Sequence, residues 1–303
     1  MTSTTAQTNN RHFLTCIYAP EVQTIGKQKF ILKENHDWKV EAEGKAKSYH
    51  SVGQAALRYL NTAEGLFRVP GQFCERLPKF VNAVREEMGL PRWAPLDDCT
   101  GRSRNSWVWL TTIPHAITMT PGMIQDVKEA KQAWSDTTLT QAQRRFKFEK
   151  ATREVTDTAA MYAYSAANVL SLIPQVAKHV PTVVTCGDSA TVVHDALSAK
   201  MNAENYFLAT RVDLSKATPA IKEAVENSKT YALWAMAKDV AATVGGFFSL
   251  LALATGVAVL PAVAAAAFSL ASTTLAIIRK MYSETMMHKP IDFLCNKSVV
   301  QLA

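Results

Sequence analysis

Residues 240–278 read VAATVGGFFSLLALATGVAVLPAVAAAAFSLASTTLAII and contain no Asp, Glu, Lys, Arg or His. A buried helix of a soluble protein rarely keeps an uncharged run beyond about 10–14 residues, whereas one bilayer-spanning helix needs roughly 20. This run is long enough for two passes, and it carries its own fold point. Pro261 lacks the amide donor that a helix interior needs and holds Leu260 away from helical backbone angles. Residues 255–261 are therefore the expected turn of a helical hairpin. The competing reading is an Ala-rich hairpin buried in a soluble helical protein, of which a soluble form with a concealed hairpin is a special case.

The two lobes differ in strength. The first, residues 240–260, holds Val240, Val244, Phe247, Phe248, Leu250, Leu251, Leu253, Val257, Val259 and Leu260. Each is favourable by roughly 0.3–0.6 kcal/mol at a membrane centre, so this lobe is expected to insert by itself. The second, residues 262–278, has Val263, Phe268, Leu270, Leu275, Ile277 and Ile278 among Ala, Ser and Thr, and is expected to enter with its partner. Small residues let two helices approach closely in lipid. The anchor residues are thus Val240, Phe247, Phe248, Leu251, Leu253 and Pro261, with Phe268, Leu270, Ile277 and Ile278 on the return pass. Lys238 and Asp239 precede the run, and Arg279 and Lys280 follow it. Cations at both ends and none in the turn put both termini on the cytosolic face of a membrane.

Taken whole, the chain of 303 residues is globular in composition, 48% hydrophobic and 19% charged. The charged share falls below the usual value of about 25% largely because of the hairpin. A formal charge of +7 suits an anionic cytosolic leaflet, where each nearby Lys or Arg contributes roughly 1 kcal/mol; no nucleic-acid partner is implied. Cys16, Cys74, Cys99, Cys186 and Cys295 are scattered without a CxxC pair, which fits reduced thiols in a reducing compartment. Residues 1–11 are polar, lack the apolar core of a secretory signal and are expected to be disordered.

Residues 12–44 lean towards strand, with segments at 12–18, 29–33 and 38–42 and turn chemistry at 34–37. Residues 45–238 are expected to form a cytosolic helical domain. Val52, Ala55, Leu57, Leu60 and Ala63 mark a first helix, and a second follows a break at Pro70 and Gly71. Residues 89–122, rich in Pro and Gly, form a long connection. Phe148, Ala151, Val155, Ala159, Tyr162, Ala166, Val169 and Ile173 make one continuous apolar stripe, expected to face the core. Helices at about 182–205 and 216–238 lead into the hairpin segment, 239–280, and residues 281–303 form a cytosolic tail. The fold class is mainly α: a helical bundle with a small N-terminal β element and a C-terminal transmembrane hairpin. A chain cut near Lys238 is expected to be soluble and helical.

Arg144, Arg145, Lys147, Lys150 and Arg153, interleaved with Phe146 and Phe148, offer a cationic surface for anionic lipid, although Glu149, Glu154 and Asp157 dilute it into an ordinary solvated face. Cys186, Asp188, His194 and Asp195 lack any metal-ligand spacing, and Asp188 reads as a helix N-cap. No nucleophile elbow, phosphate loop, dinucleotide fingerprint or zinc-protease motif is present. No enzyme, cofactor or metal is therefore expected. Long irregular connections often carry function, and Trp and Arg dominate binding hot spots, so Arg102, Arg104, Trp107 and Trp109 are the candidate surface for an unidentified protein partner.

The bilobed hairpin of residues 240–278 and the polar start MTSTTAQTNNR resemble the inclusion membrane proteins of Chlamydia and its relatives. Many members carry the hairpin near the N-terminus; here most of the chain precedes it. The resemblance implies a type III secreted effector in the host vacuole membrane, both ends in host cytosol, recruiting host partners through its helical domain. It transfers no functional residue. Two other architectures share these features: a pore-forming toxin or translocator whose hairpin is concealed until insertion, and a peroxisomal membrane-shaping protein. The expected partners are the lipid bilayer and a protein, with homo-oligomerisation left open.

Overall fold

The structure, a computed structural model, describes residues 21–25, 28–32, 59–60, 63–95, 113–215, 217–255, 259–286 and 290–294. Two short strands, β1 (Glu21–Ile25) and β2 (Gln28–Leu32), pair antiparallel with Glu21 opposite Leu32. The segments expected as strands at 12–18 and 38–42 lie outside the described residues, as does the turn at 34–37.

Among the described residues six long helices follow: α1 (Ala63–Glu87), α2 (Ile113–Ser135), α3 (Gln141–Ser171), α4 (Val180–Thr210), α5 (Pro219–Thr255) and α6 (Val259–Thr285). The described chain is thus mainly α. Each of α2 to α5 packs antiparallel against the next helix, and α1 lies along α6. Thr140 starts α3 with a capping box, its hydroxyl accepting from Gln143 N at 3.3 Å while Gln143 Oε1 accepts from Thr140 N at 2.8 Å, which satisfies two otherwise orphaned amides. Pro174 follows the end of α3, and Pro181 opens α4, where a missing amide costs nothing. Pro261 falls in the first turn of α6 for the same reason. Helix α5 ends at Thr255 and α6 begins at Val259, inside the expected turn of residues 255–261, but Leu260 and Pro261, expected to be non-helical, belong to the first turn of α6.

Several boundaries differ from the sequence reading. The break expected at Pro70 and Gly71 is absent, since α1 runs through both; its packing along α6 outweighs the local penalty. The long connection ends earlier, because Pro114 opens α2 and Pro121 lies inside it. The helix expected to end near Lys238 and the first lobe are one continuous helix, α5. Asp188 lies inside α4 and caps nothing.

The principal core sits at the base, where α4 meets α5. Ala209, Val212, Ala217, Ile221, Ala224 and Val225 enclose Phe293, which returns from beyond α6. Ile291 N donates to Ser228 Oγ at 2.8 Å and Phe293 N to Asn205 Oδ1 at 2.7 Å. Part of the segment expected as a tail is therefore built into the bundle.

Candidate membrane interface

Helices α5 and α6 are both long and apolar enough to cross a membrane, yet only 17% and 11% of their most apolar windows are buried. The core helix of a soluble protein would be mostly buried. Phe247 is 58% exposed, Leu253 55% and Leu260 68%. Val240 and Phe268 are also exposed, while Phe248, Leu251, Pro261, Leu270, Ile277 and Ile278 are half-buried. Phe248 stacks on Phe268 with ring centroids 6.1 Å apart. The close approach depends on Gly245, where a Cβ would lie 3.1 Å from Phe268 Cβ and 3.3 Å from the Ala265 carbonyl oxygen. On the other side of α5, a Cβ at Gly246 would meet Val192 Cγ2 at 2.5 Å. Two consecutive glycines thus let α5 touch α6 and α4 at one level.

The lower limit of the uncharged segment is a layer of charged groups. Lys238 Nζ lies 3.8 Å from Asp195 and pairs closely with Asp239, whose other oxygen accepts from Asn202 Nδ2 at 2.7 Å. At the same level the Arg153 carbonyl oxygen lies 3.1 Å from His194 Nδ1, and Lys150 bonds Asp126 at 2.8 Å. The Arg279 guanidinium sits 5.3 Å over the Tyr231 ring. Burial pushes the Asp195 carboxyl up to about 6, against the pull of Lys238 and His194. The sequence marks Lys238 and Asp239 as the charged flank of the run, but it does not single out Asp126, Asp195 or Asn202 for this layer.

The basic cluster occupies this layer and the turn below it. Arg145 bonds Glu149 at 2.7 Å, Arg153 bonds Glu154 at 2.5 Å, and Lys200 also reaches Glu149. Arg144 and Lys147 are half-buried on the same helix. Arg102, Arg104, Trp107 and Trp109 lie outside the described residues. Of the cysteine, aspartate and histidine group on α4, Asp188 accepts from Tyr164 Oη at 2.7 Å and Cys186 is an exposed free thiol. Among the described residues no three His, Cys, Asp or Glu side chains come together in a metal-holding arrangement.

One contact runs against simple spanning. Helix α1 lies along α6, Arg76 Nη1 donates to the Ser269 carbonyl oxygen at 2.7 Å, and Phe80 faces Ala267, Leu270, Ala271, Thr274 and Leu275. The same helix carries the Lys79–Glu75 ion pair at 2.7 Å. A guanidinium and an ion pair thus stand beside the middle of the second lobe.

Comparison with protein-family models, with curated proteins and with solved structures finds no match.

Proposed function

We propose that this chain is a membrane-anchored, non-catalytic protein in which the α5–α6 hairpin enters the bilayer and the helical base recruits protein partners at the surface. The observation that carries the reading is the pair of apolar helices whose largest side chains face outward beyond a charged layer. Anchoring raises the local concentration of any binding surface on the base, and the cations that flank the uncharged run support a cytosolic side for both termini. A bacterial effector in a host vacuole membrane is the setting that the hairpin's resemblance favours.

The test is carbonate extraction of membranes from cells making the full chain, followed by protease protection. Leu251→Arg with Leu253→Arg places two cations in the apolar half of α5 and should cost about 5–8 kcal/mol of insertion. The wild-type chain is expected to stay in the pellet and the double variant to be released. A double variant that still pellets would remove the hairpin as the anchor.

The Arg76 contact favours a second reading, in which the hairpin is stored against α1 and inserts later, as in a toxin or translocator. A bilayer centre is costly for Glu75, Arg76 and Lys79, so α6 enters only if α1 leaves it. Recovery of the chain from cytosol without detergent, with insertion into added vesicles, would select this reading.

A further inference from the structure

The α5–α6 hairpin is not alone above the charged layer. The Val192 contact at Gly246 sets α4 against α5. The Tyr164 ring lies 2.9 Å from where a Cβ of Gly187 would stand, and Tyr164 also bonds Asp188, which sets α3 against α4. Thr120 Oγ1 lies 2.8 Å from Tyr162 Oη, which sets α2 against α3. Residues 113–125, 158–171 and 180–193 are therefore level with 240–255 and 259–278. In all five windows the only Asp, Glu, Lys, Arg or His residues are His115 and Asp188, and Asp188 is hydrogen-bonded inside the bundle. Helix α3 and the turn after it are free of these residues from Thr158 to Ala177, the length of a membrane pass.

The packing of this half is inverted relative to a soluble core. Small or polar residues face inward: Thr158, Ala160, Ser165 and Ala167 on α3, Gly187 on α4, Ala241 and Gly245 on α5. Large apolar residues face outward: Ile117, Tyr162, Val169, Leu172, Val193 and Phe247. Small interiors with large apolar exteriors belong to helices packed in lipid, where no hydrophobic effect draws them together. The chain from Lys238 to the end of α5 rises roughly 25 Å at 1.5 Å per residue, close to the roughly 30 Å of a hydrocarbon core. The layer below carries Lys150, Arg153, Lys238 and Arg279, cations suited to anionic headgroups.

We infer that, once α1 has left α6, the bilayer takes up the whole uncharged half of the bundle, α2 to α6 above the charged layer, with the α3–α4 turn at Lys178 and His179 reaching the far headgroups beside the α5–α6 turn. The inference rests on the membrane reading of the hairpin and extends it from two helices to five.

The full chain is synthesised in the presence of phosphatidylcholine and phosphatidylserine vesicles containing a phosphatidylcholine with a photoactivatable acyl chain, and labelled peptides are mapped. Label is expected in residues 113–125 and 158–177 as well as 240–278, with none in 200–235. Label confined to 240–278 overturns the inference and leaves the hairpin anchor intact; this is also the outcome if a second copy covers α2 and α3. Absence of label from 240–278 removes the anchor and the inference together. As a second measure, Val169→Asp with Ile173→Asp should lower partition into these vesicles at least tenfold, while Phe207→Asp at the exposed base should not. Unchanged partition of the α3 variant also overturns the inference.

Discussion

Asp195 lies buried on α4 between Lys238 and His194, and burial raises its pKa to about 6 from 3.8, with Asp239 and Asp157 adding to the rise. The folded chain therefore holds this proton more tightly than the unfolded chain. The resulting stability is fully present below about 3.8 and is lost as pH rises through about 6. Asp195→Asn fixes the uncharged form and should raise the unfolding temperature at pH 7.5, by the equivalent of about 1–3 kcal/mol, and change little at pH 4. Thermal unfolding of the full chain in detergent at both pH values checks this. A lower unfolding temperature at pH 7.5 would mean that attraction to Lys238 outweighs burial. At Gly246 the question is steric. The Val192 methyl lies 2.5 Å from where a new Cβ would stand, so Gly246→Ala forces α4 and α5 apart and should cost about 1–3 kcal/mol. Equal denaturant midpoints for variant and wild type would show that Val192 yields without cost.

The hairpin was legible because an uncharged run of that length has few other uses and Pro261 marks its turn. Helix α3 was legible in extent and misread in orientation. Phe148, Val155, Ala159, Tyr162, Ala166, Val169 and Ile173, expected to form its core stripe, are all exposed, and of that set only Ala151 is buried. The face that packs is Ala151, Thr158, Ala160, Ser165 and Ala167. In a soluble helix polar residues mark the outside, but past Asp157 this helix offers no charge to do so. Spacing then identifies two candidate faces without ranking them, and close packing of small residues decides between them. Helix α1 poses the opposite problem, since nothing in its sequence announces a place beside the second lobe. Arg76→Ala removes the hydrogen bond to Ser269. If α1 is a cover, this variant should insert into vesicles about fivefold faster, in line with a net hydrogen bond of about 1 kcal/mol. Stopped-flow energy transfer from the tryptophans to a labelled lipid would measure it, and identical rates would show that α1 does not limit entry.

For the whole molecule, the sequence suggests a division at about Lys238 into a soluble domain and an anchor, because charge stops there. The structure divides the chain by height instead of by position along it. Below the charged layer, the return end of α6 and residues 290–294 complete the base: Tyr282 Oη donates to Asn227 Oδ1 at 3.1 Å, Arg279 covers Tyr231, and Phe293 is fully buried among α4 and α5. Contacts so distant in sequence leave no local signal, and the apolar residues Ile291, Phe293 and Leu294 read as ordinary tail composition. A chain ending at Lys238 therefore lacks Phe293, whose loss alone should cost about 3–5 kcal/mol, and leaves Asn205, Asn227 and Ser228 without their partners from the return segment. It is expected to unfold without a sharp transition. A chain in which residues 240–278 are replaced by a short Gly and Ser linker keeps the return segment. Since adjacent helix axes lie about 8–10 Å apart, a linker of about eight residues spans the gap. This spliced chain should be soluble and unfold cooperatively at a higher temperature than the truncated one, as followed by circular dichroism at the helical minimum. If the two chains melt alike, the return segment contributes nothing to the base and the division at Lys238 stands after all.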